Sequence, residues 1–382
     1  MIRVLRGTRT FLLTMLGKSR LAQSMVASRC RPFGVELASS EQILLLTSRG
    51  RSIRLHPKHL PFAPRVARRF DAYYLSRPQK DGDSVPGVDY SSPNDLLIMR
   101  RVEQAGASLR YAEGVFRLQK DNRVMLLQLR HFIYVADIAE DFDTYFSPIV
   151  PRERDGLLLV DYSRPGLLQT YRSSGLQFEM ASFPEEDMAF EEYFRWYRPK
   201  LGDTVFDLGA HCGVSTCLLA SLVGPQGRVI AFEPDPLNYS LLLRNLERHG
   251  HTNVTALNIA VSSLNGTAPF NCEGTVGSGL ASVIKRDAVG STIDVETVTL
   301  TEAFGRWGLP VFCKIDIEGA EIDVLASSKD ILSAHKIHLA LDTNHFVNGV
   351  LTSAAVERII RSYGYETASD FKPLATTWAR PK

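Results

Sequence analysis

From about residue 181 the sequence predicts an α/β fold, a doubly wound and mostly parallel sheet, preceded by a smaller α+β region. Two observations carry this. Apolar strand-like runs alternate with helix-like segments along residues 200–380, and three of those runs end in charged signatures. Strand–helix alternation imposes parallel pairing with right-handed crossovers, hence an open sheet covered on both faces.

Pro184 with Glu185, Glu186 and Asp187 reads as a helix start running through Phe190, Phe194 and Tyr197 to Pro199, because acids suit the positive end of the helix dipole. A strand follows at Thr204–Leu208, then a Gly turn and an apolar helix at 213–223 stopped by Gly224 and Pro225. After strand Arg228–Phe232, Asp235-Pro236 caps a helix with Tyr239, Leu242, Leu243 and Leu246 at core-face spacing. Strands are expected at Val254–Ile259, Thr267–Phe270, Val295–Leu300, Val311–Ile317 and Ile337–Asp342, with helices at Glu302–Trp307 and Glu321–Ser327. The last helix repeats the spacing at Val356, Ile359, Ile360 and Tyr363. Strands Tyr365–Ala368 and Thr376–Arg380 close the sheet, and the loop between them is short enough that one must run antiparallel.

Three regions are expected: a basic tail at 1–36, an α+β region at 37–180 and the α/β domain at 181–382. In the middle region 80–93 reads as a loop. Val115–Leu118, Val124–Leu129, His131–Ala136 and Leu157–Val160 read as short strands. The tail carries Arg3, Arg6, Arg9, Lys18, Arg20, Arg29 and Arg31 before the first acid, Glu36. That composition suits a mitochondrial transit peptide or a basic surface tail, so the expected location is cytoplasmic with a mitochondrial alternative.

Composition narrows the function classes. A formal net charge of +2 gives no reason to expect a nucleic-acid partner, and no apolar run reaches a membrane-spanning length. The five cysteines form no CxxC pair and no zinc-finger spacing, which reads as small buried thiols.

Chemistry gathers at three strand ends, where open α/β sheets bind their ligands. The first is DLGAHCG over 207–213. Gly209 permits a tight turn, Gly213 lets the next helix approach, and loop N–H groups are expected to face a small anion. Asp207 at the loop mouth would repel a pyrophosphate and welcome a ligand bearing an ammonium group. The loop lacks the middle glycine of the dinucleotide fingerprint GxGxxG. The second is Phe232-Glu233-Pro234-Asp235, whose carboxylate at 233 can accept from two ribose hydroxyls. The third is KIDIEGAE over 314–321, where strand alternation puts Lys314, Asp316 and Glu318 on one side. A structural ion pair between Lys314 and an acid is the alternative reading of this cluster.

The series DLGAHCG, AFEPD, LNIAVSS and KIDIEGAE, in this order, resembles the FkbM family of class I methyltransferases from about 182 to 345, and plausibly to 380. The resemblance implies a Rossmann-like seven-stranded sheet and S-adenosyl-L-methionine as cofactor. It implies that Asp207, Gly209 and Gly213 surround the methionine part, with Ala210 and His211 in the same loop, that Glu233 takes the ribose, and that Asn258 lies near the adenine edge. It further implies O-methylation of a hydroxyl on a sugar or natural-product-like small molecule. An alcohol needs a positioned base, and the candidates are Asp316, Glu318 and His345. No metal is expected, since no ligand cluster is visible. Two residues depart from the family's pattern: Thr301 stands where an acid is common, and Asp342 where a glutamate is usual. A nicotinamide-dependent oxidoreductase and a non-catalytic adenosyl-binding module are the competing readings.

Overall fold

The computed structural model describes residues 30–31, 36–39, 44–48, 51–55, 93–112, 114–185, 190–272, 279–280, 291–347, 350–370 and 375–382. The chain divides into two compact units, Met1–Asp143 with Pro151–Ser163 and Thr144–Val150 with Arg164–Lys382. Most of the basic tail and of the loop read over 80–93 lies outside the described residues; Pro93 opens a helix, Pro93–Gln104.

The first unit contains a five-stranded sheet. Val115–Lys120 and Arg123–Leu127 form an antiparallel hairpin, and Leu157–Tyr162 pairs parallel to its second strand. The strand expected at 131–136 is instead a 3-10 turn, Leu129–Tyr134, running into helix Val135–Glu140. Phe132, Val135, Ala136 and Ala139 are all buried. Their spacing of three to four residues is helical, and the short apolar run concealed it.

The second unit is built on a seven-stranded sheet whose strands are β1 (Thr204–Leu208), β2 (Arg228–Phe232), β3 (Val254–Leu257), β4 (Phe312–Ile315), β5 (His338–Asp342), β6 (Tyr365–Asp370) and β7 (Thr376–Pro381). Across the sheet the order is β3-β2-β1-β4-β5-β7-β6. The first five strands are mutually parallel, and β7 runs antiparallel to both β5 and β6, as the short final connection requires. The switch point therefore falls between β1 and β4.

Six helices link these strands: α1 (Val214–Val223), α2 (Pro236–Arg248), α3 (Leu300–Trp307), α4 (Glu321–Ala326), α5 (Lys329–Ala334) and α6 (Ser353–Ser362). Strand alternation sends Phe206, Leu208, Ile230, Phe232, Cys313, Ile315, Leu339 and Leu341 to one face. There they pack with Leu300, Phe304, Val324, Leu325, Val356 and Ile360 of α3, α4 and α6. The opposite face carries Asp207 and Lys314, which are register partners on adjacent strands.

Three sequence expectations are corrected. The strands read at 267–270 and 295–300 do not enter the main sheet. They form, as Gly266–Cys272 and Ser291–Val298, a separate four-stranded sheet with Ala260–Val261 and Gly279–Leu280. Thr299 accepts from the Glu302 amide and so ends that strand by capping α3. The helix expected over 184–199 is reduced, among the described residues, to Phe190–Tyr193; residues 186–189 lie outside them.

On α2 the inward face is Asn238, Leu241, Leu242, Asn245 and Leu246, while Leu243 is exposed. Two buried asparagines displaced the apolar stripe by one residue. Asn245 explains why: its Nδ2 donates to the carbonyls of Glu179 (2.9 Å) and Cys212 (2.8 Å), and its Oδ1 accepts from the Glu179 amide (2.8 Å). One side chain thus ties the hairpin strand Gln177–Met180 to the loop after β1. Asn245→Ala would strand these backbone groups in a dry site and is expected to cost about 2–4 kcal/mol. Urea unfolding checks this, and a loss below about 1 kcal/mol would show that water replaces the amide.

Candidate active site

The loop after β1 is held in shape by its own hydrogen bonds. The amides of Gly209 and Ala210 both donate to the Phe232 carbonyl (3.0 and 2.9 Å), and Gly213 donates to Ala210 (2.8 Å). The His211 amide donates to Glu233 Oε2 at 2.7 Å. These four amides are therefore spent within the protein, and the expectation that the loop N–H groups face a small anion is corrected for them. What the loop needs from its glycines is clearance. Gly209 has φ +81°, and a Cβ there would lie 1.8 Å from the Asp316 carbonyl oxygen; Gly213 has φ +92° and would press on Leu242. His211 also takes a left-handed conformation, and its Nδ1 lies 2.5 Å from Glu185 Oε1. Sequence reasoning missed Glu185 as a partner, because nothing local links it to the loop.

Asp207 is fully buried. Its Oδ2 accepts from the Ser215 and Thr216 hydroxyls (2.8 and 2.7 Å), and its Oδ1 lies 3.3 Å from Lys314 Nζ. Lys314 in turn donates to the Gly209 carbonyl at 2.7 Å. Asp207 is thus enclosed by a lysine and two hydroxyls from the first turn of α1, which corrects its expected position facing a ligand ammonium. The ion-pair alternative for Lys314 is realised, with Asp207 as the nearer acid. Burial pulls the Lys314 pKa down, but Asp207, Asp316 and Glu185 more than offset this, so the ammonium stays charged.

Glu233 closes β2. Its Oε1 accepts from the Asp235 amide (2.8 Å) and its Oε2 from His211, leaving further acceptor capacity on each oxygen. Burial pushes its pKa up to about 7, against the lowering effect of His211 and the Asp235 amide. Asn258 donates through Nδ2 to the carbonyls of Glu233 (2.8 Å) and Pro234 (2.9 Å), which fixes the chain next to that acid.

The KIDIEGAE segment leaves β4 on the other side of the switch point. Asp316 Oδ2 is 3.8 Å from Lys314 Nζ, and Asp316 Oδ1 is 3.7 Å from His345 Nε2. His345 Nε2 is also 3.8 Å from Glu318 Oε2, and its Nδ1 is 3.2 Å from Glu321 Oε1. Glu321 is wholly buried and accepts from the amides of Ile317 (3.0 Å) and Gly319 (3.2 Å), stabilising the turn in which Glu318 has φ +56°. The fold therefore unites Asp316, Glu318 and His345, with buried Asp342 nearby. Sequence reasoning saw no metal-ligand cluster because His345 comes from the far end of β5; Asp316, Glu318 and His345 in fact place three possible ligand atoms within 4.8 Å of one another.

This order of strands, with a glycine loop after β1, an acid ending β2 and an ionic cluster after β4, stands beside a direct sequence match. Residues 207–367 match the methyltransferase FkbM domain. The chain carries an FkbM methyltransferase domain. Among solved structures, the chain is similar to methyltransferase FkbM from Methylobacillus flagellatus KT, at 19% identity with a TM-score of 0.36, over 51% of this chain and 50% of that one. The chain thus spans about half the length of that protein. It is similar also to a precorrin-6y C5,15-methyltransferase from Geobacter metallireducens GS-15, at 15% identity and TM-score 0.33, covering 51% and 87% of the two chains. A SAM-dependent methyltransferase from Aquifex aeolicus gives 14% identity, TM-score 0.30, and the same two coverages. No curated protein matches the chain.

Gly209→Ala would drive a methyl group into the Asp316 backbone from a left-handed position. The expected loss is about 2–4 kcal/mol. Thermal and urea unfolding measure it, and wild-type stability in this variant would mean that the loop and the β4 end are not in contact.

Proposed function

We propose that the FkbM domain binds S-adenosyl-L-methionine along the mouth of β1 and β2 and methylates a hydroxyl of a small molecule presented beyond β4 and β5. The observation that carries this reading is Glu233. It is a buried carboxylate at the end of β2, locked by two backbone amides, whose oxygens keep lone pairs for two further donors. A ribose diol supplies two such donors. Gly209, Ala210, His211 and Gly213 would shape the wall beside the methionine part, Asp207 would brace that wall, and Asn258 would hold the chain by the adenine. The bound cofactor supplies an electrophilic methyl group.

The chain's own task is then to position a nucleophile and take its proton. Asp316 suits that task. Its side chain is 30% exposed, it adjoins the glycine loop, and Lys314 holds it from behind. His345 is less suited. Both of its ring nitrogens face carboxylates, Nδ1 toward Glu321 and Nε2 toward Asp316 and Glu318. Burial lowers its pKa, but these acids raise it well above the ordinary imidazole value. Its part is to orient Asp316 and Glu318. The acceptor class we propose, a hydroxyl on a sugar or natural-product-like small molecule, follows from the FkbM resemblance.

Calorimetry with S-adenosylhomocysteine against NADH tests the cofactor, with binding of the former alone expected. Asp316→Asn is expected to lower methyl transfer at least about 100-fold while S-adenosylhomocysteine affinity stays within a few-fold; unchanged turnover would remove Asp316 from this role. The pH profile tests Glu233. Because its folded pKa is about 7, above the ordinary carboxyl value, the stability it lends is full below the unfolded pKa and is lost as pH rises through about 7. Ribose recognition runs the other way, since the ionised form accepts both hydroxyls. Affinity for S-adenosylhomocysteine should fall about tenfold from pH 8 to pH 6, and Glu233→Gln should flatten that profile. A profile already flat in the wild type would count against the carboxylate as the ribose acceptor.

A further inference from the structure

We propose that Asp316, Glu318 and His345 form a binding site for a divalent transition-metal cation. Three observations support it. The first is the donor geometry. His345 Nε2 faces Asp316 Oδ1 at 3.7 Å and Glu318 Oε2 at 3.8 Å, separations too long for hydrogen bonds. With metal–ligand distances of about 2.0–2.2 Å, ligand atoms sharing one ion lie roughly 3–3.5 Å apart, so small side-chain shifts would close the set.

The second observation is the support behind the imidazole. Glu321 is fully buried, and its Oε1 sits 3.2 Å from His345 Nδ1, on the side of the ring away from the other two acids. Its Oε2 has no hydrogen-bond partner. A metal-bound histidine typically gives its second nitrogen to a carboxylate, which fixes the ring and commits the first nitrogen to the ion. Here that arrangement exists with a carboxylate that has no exposure to water.

The third is charge. Asp316, Glu318, Glu321 and Asp342 gather around one imidazole, and the adjacent cation, Lys314, lies nearer to Asp207 (3.3 Å) than to Asp316 (3.8 Å). Of these, Glu321 and Asp342 are buried, and buried acids need compensating positive charge. A mixed imidazole and carboxylate set suits Mn2+, Fe2+ or Zn2+ better than Mg2+ or Ca2+. An ion there would polarise the O–H of an acceptor bound to it, with Asp316 then acting through the ion. That role rests on the function proposed above; binding of the ion does not.

The test is titration of the chelator-treated full chain with Mn2+ alone, followed by electron paramagnetic resonance of the free ion and repeated with Zn2+ by calorimetry. One site is expected, weakened at least 100-fold in Glu318→Gln and in His345→Ala, and unaltered in Asp323→Asn, an exposed acid on α4. Circular dichroism and S-adenosylhomocysteine binding report whether each variant is folded. Glu318→Gln preserves shape and so keeps the test decisive should His345→Ala fail to fold. A wild-type chain that binds S-adenosylhomocysteine but no Mn2+ or Zn2+ would overturn the ion site and leave the methyltransferase reading standing. Equal affinity in wild type and Glu318→Gln would also overturn it. Mn2+ binding lost with Glu318 in a chain that ignores S-adenosylhomocysteine would support the ion site and count against the cofactor reading.

Discussion

The buried pair of Lys314 and Asp207 is the constraint on which the site depends. The two residues face each other across the β1–β4 junction, where the parallel sheet reverses its order of connection. Lys314 reaches one acid from each side of that junction and the Gly209 carbonyl between them. Removing either partner would leave an uncompensated charge with almost no access to water, which is far costlier than the net value of the intact pair. The loop between β1 and α1 is shaped from below by this pair and from the side by Glu233, and its own amides complete the scaffold.

That arrangement divides labour among the acids. Asp207 and Glu321 are consumed in holding turns, each accepting from neighbours that would otherwise be unsatisfied. Glu233 both holds a turn and keeps capacity for a ligand, and its raised pKa follows from its burial, which the two amides only partly offset. Asp316 and Glu318, at 30% and 24% side-chain exposure, are the acids of this group that solvent or substrate can approach. Exposure, more than residue type, separates the groups that build the site from those that can act in it.

The sequence made the parallel sheet legible because its strand and helix periods alternate cleanly, and the final antiparallel strand followed from the length of one loop. It made the strand-end motifs legible as well, since glycines and acids stand out against apolar runs. It could not tell which way a polar group would be used. Asp207 reads the same whether it faces a ligand or a lysine, and only the register of β1 against β4 decides. The side sheet of 260–261, 266–272, 279–280 and 291–298 was not told apart from the main sheet, because its strands have the same local pattern. The stripe of α2 was misread because Asn238 and Asn245 are buried for their hydrogen bonds, which periodicity of apolar residues does not detect. His345 gains its neighbours through the placement of β5 beside β4, a long-range fact with no local signature.

The close approach of Gly209 to the Asp316 carbonyl makes the loop after β1 and the end of β4 a single rigid part. Neither can be reshaped without disturbing the other. The four-stranded side sheet between β3 and β4 is fastened to the same part, because its Phe270 and Val295 pack with Ala320 and Ile317 of the turn after β4. A substitution in any one of these three pieces is therefore expected to be felt in the other two.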